Sequence, residues 1–236
     1  MDTSRPIIAL DVPSAQAALD FVRLFEGESL FVKVGMELFY AAGPQVVTQM
    51  REAGHDVFCD LKLHDIPNTV RGAARSLSRL GASLLTVHAA GGQAMMEAAL
   101  EGLREGAGAE GEQPSVVAIT QLTSTSPEAM RREQLIEVPL QESVLNYARV
   151  AQAAGVAGVV CSAWEAAAIK DATSEDFLRI TPGIRPEGAD IGDQARVVTP
   201  SKAAQMASSG IVVGRPIVQA ADPVAAYHEI KAAWNS

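Results

Sequence analysis

The chain has 236 residues, 48% hydrophobic and only 20% charged, enough to bury a sizeable core and in the range of one large α/β domain. Its formal net charge of -9 argues against a general nucleic-acid or acidic-membrane surface, so an anionic ligand would need a local cluster of positive charge. Nowhere do about 18 apolar residues run together as a membrane span requires, and the N-terminus carries only the short apolar run 7–10 rather than a signal-peptide core, so a cytoplasmic protein is the expectation.

Strand-like runs begin near Ile7, Leu30, Val57, Ser83, Val116, Gly158, Leu178 and Ile211. Helical patterns alternate with them at 14–25, 38–52, 67–80, 93–105, 141–154, 163–170, 202–208 and 223–234. Strand then helix, eight times over, predicts a parallel sheet with crossover helices. Eight units in this length suit a closed (β/α)8 TIM barrel, a single catalytic domain over 1–236, better than an open doubly wound sheet. The first strand is followed by Asp11-Val12-Pro13 and no Gly-x-Gly-x-x-Gly, which removes the commonest dinucleotide signal. Cys59 and Cys161 lie far apart in apolar runs without Cys-x-x-Cys spacing and read as reduced core residues.

Two segments break the alternation. Residues 106–114 read as a solvated connection. Residues 183–193, rich in Gly, Pro and Asp, follow the seventh strand and contain Arg185, with Gln194 just beyond. Barrels of this type often hold phosphate after strands seven and eight, so this loop is expected to be a lid over an anion.

Polar residues end the strands: Asp11, Lys33, Asp60 with Lys62, His88, Thr123, and Gly214-Arg215. In a closed barrel they converge on the C-terminal mouth. Side chains two apart in an extended strand share a face at roughly 6 to 7 Å, so Asp60 and Lys62 aim a charged pair at one spot. Neither is tolerated in a dry core without partners or a ligand. His64 and His88 read as structural rather than as general acids, Met95, Met96 and Trp164 as packing residues, and Asp65 doubles as an N-cap for the helix starting at Pro67. Spacing alone leaves the reaction open.

The run Asp60-Leu61-Lys62-Leu63-His64-Asp65-Ile66-Pro67-Asn68-Thr69 resembles the signature of the orotidine 5'-monophosphate decarboxylase family, in its bacterial single-domain form. Ala9-Leu10-Asp11, Lys33-Val34-Gly35, Leu122-Thr123-Ser124, Thr181-Pro182-Gly183-Ile184-Arg185 and Val213-Gly214-Arg215-Pro216 resemble further motifs of that family, in its order. The resemblance spans nearly the whole chain and implies conversion of orotidine 5'-monophosphate to uridine 5'-monophosphate in pyrimidine biosynthesis, with neither metal nor cofactor. It implies that Lys62 stabilises and protonates the anion at ring carbon 6, in an array where Lys33 and Lys62 alternate with Asp60 and Asp65. Such alternation favours the charged form of each member. It further implies that Arg215, Gly214, Arg185 and Gln194 hold the phosphate, Asp11 and Lys33 the ribose, and Thr123 the pyrimidine, while Pro182 borders the pocket. Finally, it implies a homodimer in which Asp65, Ile66 and Thr69 complete the neighbour's site.

A phosphosugar decarboxylase or aldolase with a related Asp-x-Lys-x-x-Asp strand is a rival, but its magnesium needs an acidic residue where Lys33 stands. A Schiff-base aldolase would need Lys62 neutral, against the flanking carboxylates. A non-catalytic nucleotide-binding protein is the third alternative.

Overall fold

Short runs of Val, Ile, Leu and Phe bury both faces only when paired with like strands and covered by helices. The computed structural model describes residues 2–108, 114–186 and 197–236. Its strands are β1 (Ile7–Ala9), β2 (Phe31–Gly35), β3 (Asp56–Leu63), β4 (Leu84–His88), β5 (Ser115–Ile119), β6 (Gly158–Val160), β7 (Leu178–Thr181) and β8 (Gly210–Val213). They pair in parallel in sequence order and β8 returns to β1. This closes the (β/α)8 barrel that the alternation predicts.

The helices are α1 (Ala15–Arg23), α2 (Met36–Ala42), α3 (Gln45–Glu52), α4 (Pro67–Arg79), α5 (Gln93–Ala107), α6 (Pro127–Glu133), α7 (Leu140–Ala153), α8 (Ala163–Ala172), α9 (Pro200–Gln205), α10 (Arg215–Val218) and α11 (Pro223–Trp234). Side chains of Ser14, Ser126, Thr199 and Asp222 accept amide protons at the starts of α1, α6, α9 and α11, and the Glu165 carboxylate accepts the Ser162 amide at 3.0 Å at the start of α8.

Several elements differ from expectation for identifiable reasons. The pattern at 38–52 is two helices, because Gly43 turns the chain at φ 78° and Pro44 has no amide proton to continue α2. The helix expected at 202–208 starts earlier, at Pro200 behind its Thr199 cap, and ends at Gln205. Helix α5 runs to Ala107, so Gly106 is helical and the expected connection begins only at Gly108; residues 109–113 lie outside the described residues. Helices α6 and α10 were not anticipated. Trp164 is 59% exposed rather than packed, whereas Met95 and Met96 are buried as expected. Both cysteines are buried thiols with no disulfide between them. Burial and the neighbouring Asp60 push the Cys59 thiol up to about 12, which leaves it inert.

Alternate strand residues enter two separate packed groups. Ile7, Ala9, Phe31, Phe58, Leu84, Val117, Ile180 and Val212 form the smaller one, the plug of the barrel lumen. Their sequence neighbours, such as Ile8, Val32, Val57, Leu85 and Val116, join the larger group between sheet and helices.

Helices α4 and α5 approach closely because α5 presents glycines one turn apart. A methyl on Gly102 would lie 2.1 Å from the Arg71 carbonyl oxygen, and one on Gly106 would lie 2.5 Å from that of Arg75. Ser78 Oγ donates to the Leu103 carbonyl at 3.0 Å, and Arg71 and Arg75 pair with Glu105 along the same seam. Because backbone, not a flexible side chain, blocks the space, Gly102→Ala is expected to cost about 1–3 kcal/mol by overpacking. The readout is a lower urea midpoint at unchanged m-value; a wild-type midpoint would contradict the close approach.

Candidate active site

The charged side chains lie one step above the lumen plug. Strand residues two apart face the same way, so Lys33 follows Phe31, Asp60 follows Phe58 and Thr86 follows Leu84 on the inward face, while Asp11 stands two residues past Ala9. Asp60 is at the centre. Its Oδ2 lies 2.9 Å from Lys62 Nζ and 3.6 Å from Lys33 Nζ, and Lys33 Nζ lies 3.4 Å from Asp11 Oδ1. A methyl on Gly35 would come within 3.0 Å of Lys33 Nζ and 3.4 Å of Asp11 Oδ1, so glycine there leaves room for the pair.

Burial pushes the Asp60 carboxyl up, but the Lys33 and Lys62 ammonium groups and hydrogen bonds from Lys62 and Thr86 outweigh it. Its pKa therefore lies below the ordinary 3.8. The Asp60 side chain is only 13% exposed and that of Lys62 27%.

The facing of Lys62 has a less simple origin than strand alternation. Between the pairs Cys59↔Leu85 and Leu63↔Val87, β3 advances four residues while β4 advances two. This is a bulge, and within it Lys62 adopts φ 52°, a left-handed conformation unusual for a residue with a side chain. Thr86 lies opposite the bulge. Its Oγ1 accepts the Lys62 amide at 2.9 Å and donates to Asp60 Oδ1 at 3.0 Å.

A cavity of about 560 Å³ opens above these residues. Of the residues singled out from the sequence, Asp11, Lys33, Asp60, Lys62, Thr123, Pro182, Arg185, Gly214 and Arg215 line it. Arg185 is buried beside the Ile184↔Val198 bridge that follows β7, while Arg215 opens α10 immediately after β8. Gln194, with most of the expected lid, lies outside the described residues.

Asp65, Ile66 and Thr69 do not line the cavity of their own chain and are exposed. Asp65 is not the N-cap of α4, a position taken by Ile66. Among the described residues, its carboxylate accepts one hydrogen bond, from the Ile66 amide at 2.6 Å, and within one chain Asp11, not Asp65, extends the charged array.

The His64 and His88 rings meet at a tilt, with centroids 5.5 Å apart. Burial, then His64 and Lys62, lower the His88 pKa against the pull of Asp60, so His88 is neutral at neutral pH. Sequence reasoning missed Thr86 and Gln121. Gln121 lines the cavity and is buried, with its amide nitrogen on Gln134 Oε1 at 2.9 Å and Ser143 Oγ at 3.2 Å. A polar residue two positions before His88 was the available signal for Thr86; Gln121 carried none beyond its place after β5. Among the described residues, no group of three or more His, Cys, Asp or Glu is arranged to hold a metal ion.

Residues 4–230 match the model of a family described as orotidine 5'-phosphate decarboxylase / HUMPS. The chain belongs to that family. Within the orotidine 5'-phosphate decarboxylase / HUMPS family, the orotidine 5'-phosphate decarboxylase of Cutibacterium acnes is 72% identical over all of this chain and 98% of its own length. That of Streptococcus thermophilus is 58% identical over all of this chain and 99% of its own length. The crystal structure of orotidine 5'-phosphate decarboxylase from Lactobacillus acidophilus superposes with a TM-score of 0.88 at 42% identity, covering 98% of this chain and 99% of that one.

The sign of the Asp60 shift makes a test. With its folded-state pKa depressed, its pairing stabilises the protein above about 3.8, and that contribution is lost as pH falls through the lower folded value. In a carbon-13 carboxyl titration, the Asp60 midpoint is expected below the ordinary value and should rise in Lys62→Ala, where burial is less opposed. A midpoint indifferent to Lys62 would dissolve the coupling.

Proposed function

We propose that the protein decarboxylates orotidine 5'-monophosphate to uridine 5'-monophosphate in pyrimidine biosynthesis, without metal or cofactor, and that residues 1–236 act as one cytoplasmic catalytic domain. The observation that carries this reading is the Lys62 ammonium 2.9 Å from a largely buried carboxylate flanked by Lys33, at the floor of a cavity that also contains Arg185 and Arg215.

The nucleotide's dianionic end suits the Arg215 guanidinium fork, the Gly214 amide, Arg185 and Gln194. Asp11 and Lys33 take the ribose hydroxyls, Thr123 meets the pyrimidine and Pro182 borders the ring. The bond from carbon 6 to the carboxylate then breaks with its electron pair left on carbon 6, and carbon dioxide departs. Lys62 lowers the energy of that pair while it forms and then donates a proton to it; solvent returns the proton to the amine. The Asp60 carboxylate keeps the ammonium beside the reacting carbon, a fixed arrangement that needs little reorganisation as charge develops. Binding energy gathered at the phosphate, remote from the breaking bond, favours this arrangement in the transition state.

We read the active form as a homodimer with shared sites. Ile66 is 66% exposed and follows β3. Met36, Leu122, Leu135, Val138 and Trp164 are also exposed and follow β2, β5 and β6, on the side of the barrel where the cavity opens. Exposed apolar side chains on the rim of a catalytic mouth favour a second copy. Asp65, Ile66 and Thr69, idle in their own chain, would then complete the partner's site.

Loss of orotidine absorbance is expected with wild type, equally in the presence of a chelator. Lys62→Ala should be slower by on the order of 10⁴-fold or more, since both the charge and the proton donor are gone. Equal rates for the two proteins would overturn the assignment. For the shared site, mixing inactive Lys62→Ala with inactive Asp65→Ala should restore part of the activity through one intact site per mixed dimer. A mixture as inactive as its components would leave the dimer without a catalytic role.

A further inference from the structure

We infer that Thr86 is a positioning residue that holds the charged pair of β3 in register by hydrogen-bonding the backbone of Lys62 and the side chain of Asp60 at once. A threonine hydroxyl has one proton to give and lone pairs to accept with. Here both are used on one functional unit: Oγ1 receives the Lys62 amide at 2.9 Å and gives its proton to Asp60 Oδ1 at 3.0 Å. Asp60 Oδ2 is thereby left facing the two ammonium groups.

The bulge explains why a hydroxyl is needed at this position. Two extra residues of β3 separate Cys59↔Leu85 from Leu63↔Val87, so Thr86 alone on β4 faces the stretch 60–62. There the regular ladder cannot serve the Lys62 amide, which is turned by a φ of 52°. Without a side-chain acceptor that amide would be unpaired next to a fully buried strand residue. Loss of the same hydroxyl would free the Asp60 carboxylate to rotate. One missing atom would loosen the ammonium from both of its ends, its backbone anchor and its counter-ion.

A packing role makes a different forecast, because valine matches threonine in shape and lacks only the hydroxyl. The activity arm of the test rests on the decarboxylase reading above; the structural arm does not. In Thr86→Val, kcat is expected to fall by about 10²-fold, the scale of a misplacement of roughly 1 Å, with KM less affected because the phosphate contacts do not involve Asp60 and Lys33 keeps its pairing with Asp11. Thr86→Ser, which keeps the hydroxyl and discards the methyl, should recover most of kcat. Should Thr86→Val not fold, Thr86→Ala removes the same oxygen without crowding and takes its place.

A wild-type kcat in Thr86→Val, or a Thr86→Ser protein as impaired as Thr86→Val, would overturn the inference and leave Thr86 a packing residue. If wild type itself does not turn over the nucleotide, the functional reading fails and the inference is decided by crystallography of Thr86→Val. There the Lys62 Nζ to Asp60 Oδ2 separation is expected to lengthen beyond an ion pair and Lys62 to leave its left-handed conformation. Retention of both would refute it.

Discussion

A carboxylate removed from water is costly unless cations and donors surround it, and Asp60 is so removed at the heart of this molecule. Lys62 and Lys33 meet one of its oxygens and the Thr86 hydroxyl meets the other. Each of these contacts serves the carboxylate, and the carboxylate in turn fixes where the two amines stand. The cavity above would be an ordinary polar cleft without that mutual restraint. With it, a positive charge is delivered to one place, before any substrate arrives.

The barrel supplies the framework for the restraint. Phe31, Phe58 and Leu84 pack the lumen, and strand geometry obliges the next inward position on each strand to stand just above that dry plug. Those positions are occupied by Lys33, Asp60 and Thr86. The apolar floor beneath them keeps the charges from being solvated from below, and the covering helices hold the strands that carry them. Stability and chemistry thus occupy successive layers of the same lumen, which is why the polar groups have so little freedom to relax.

Much of this was legible in the chain. Eight apolar runs separated by helical patterns announced a closed barrel, and polar residues at the strand ends marked its mouth. The split of 38–52 into α2 and α3 was also written there, in Gly43-Pro44, but helical periodicity on both sides masked it. Likewise Ser126-Pro127, a cap followed by proline, marks the start of α6, but the helix is only seven residues long and too short to show a clear apolar period. Thr86 was hidden for another reason: its role depends on which residues of β3 lie opposite it, and strand register is a tertiary property. The facing of Asp60 and Lys62 was anticipated from simple alternation, yet it arises through a bulge and a left-handed residue. Asp65, read as a cap, instead engages the adjacent amide, because the chain enters α4 through Ile66.

The length of the bulge has a consequence of its own. Because β3 gains an even number of residues relative to β4, the inside-outside parity of the strand survives it, and Leu63 still packs with the helix layer opposite Val87. The two-residue gain thus lets β3 turn both Asp60 and Lys62 toward the cavity while Leu61 and Leu63 stay packed against the helix layer. Numerical evenness is what lets this scaffold lengthen a tool at its edge without rebuilding its foundation.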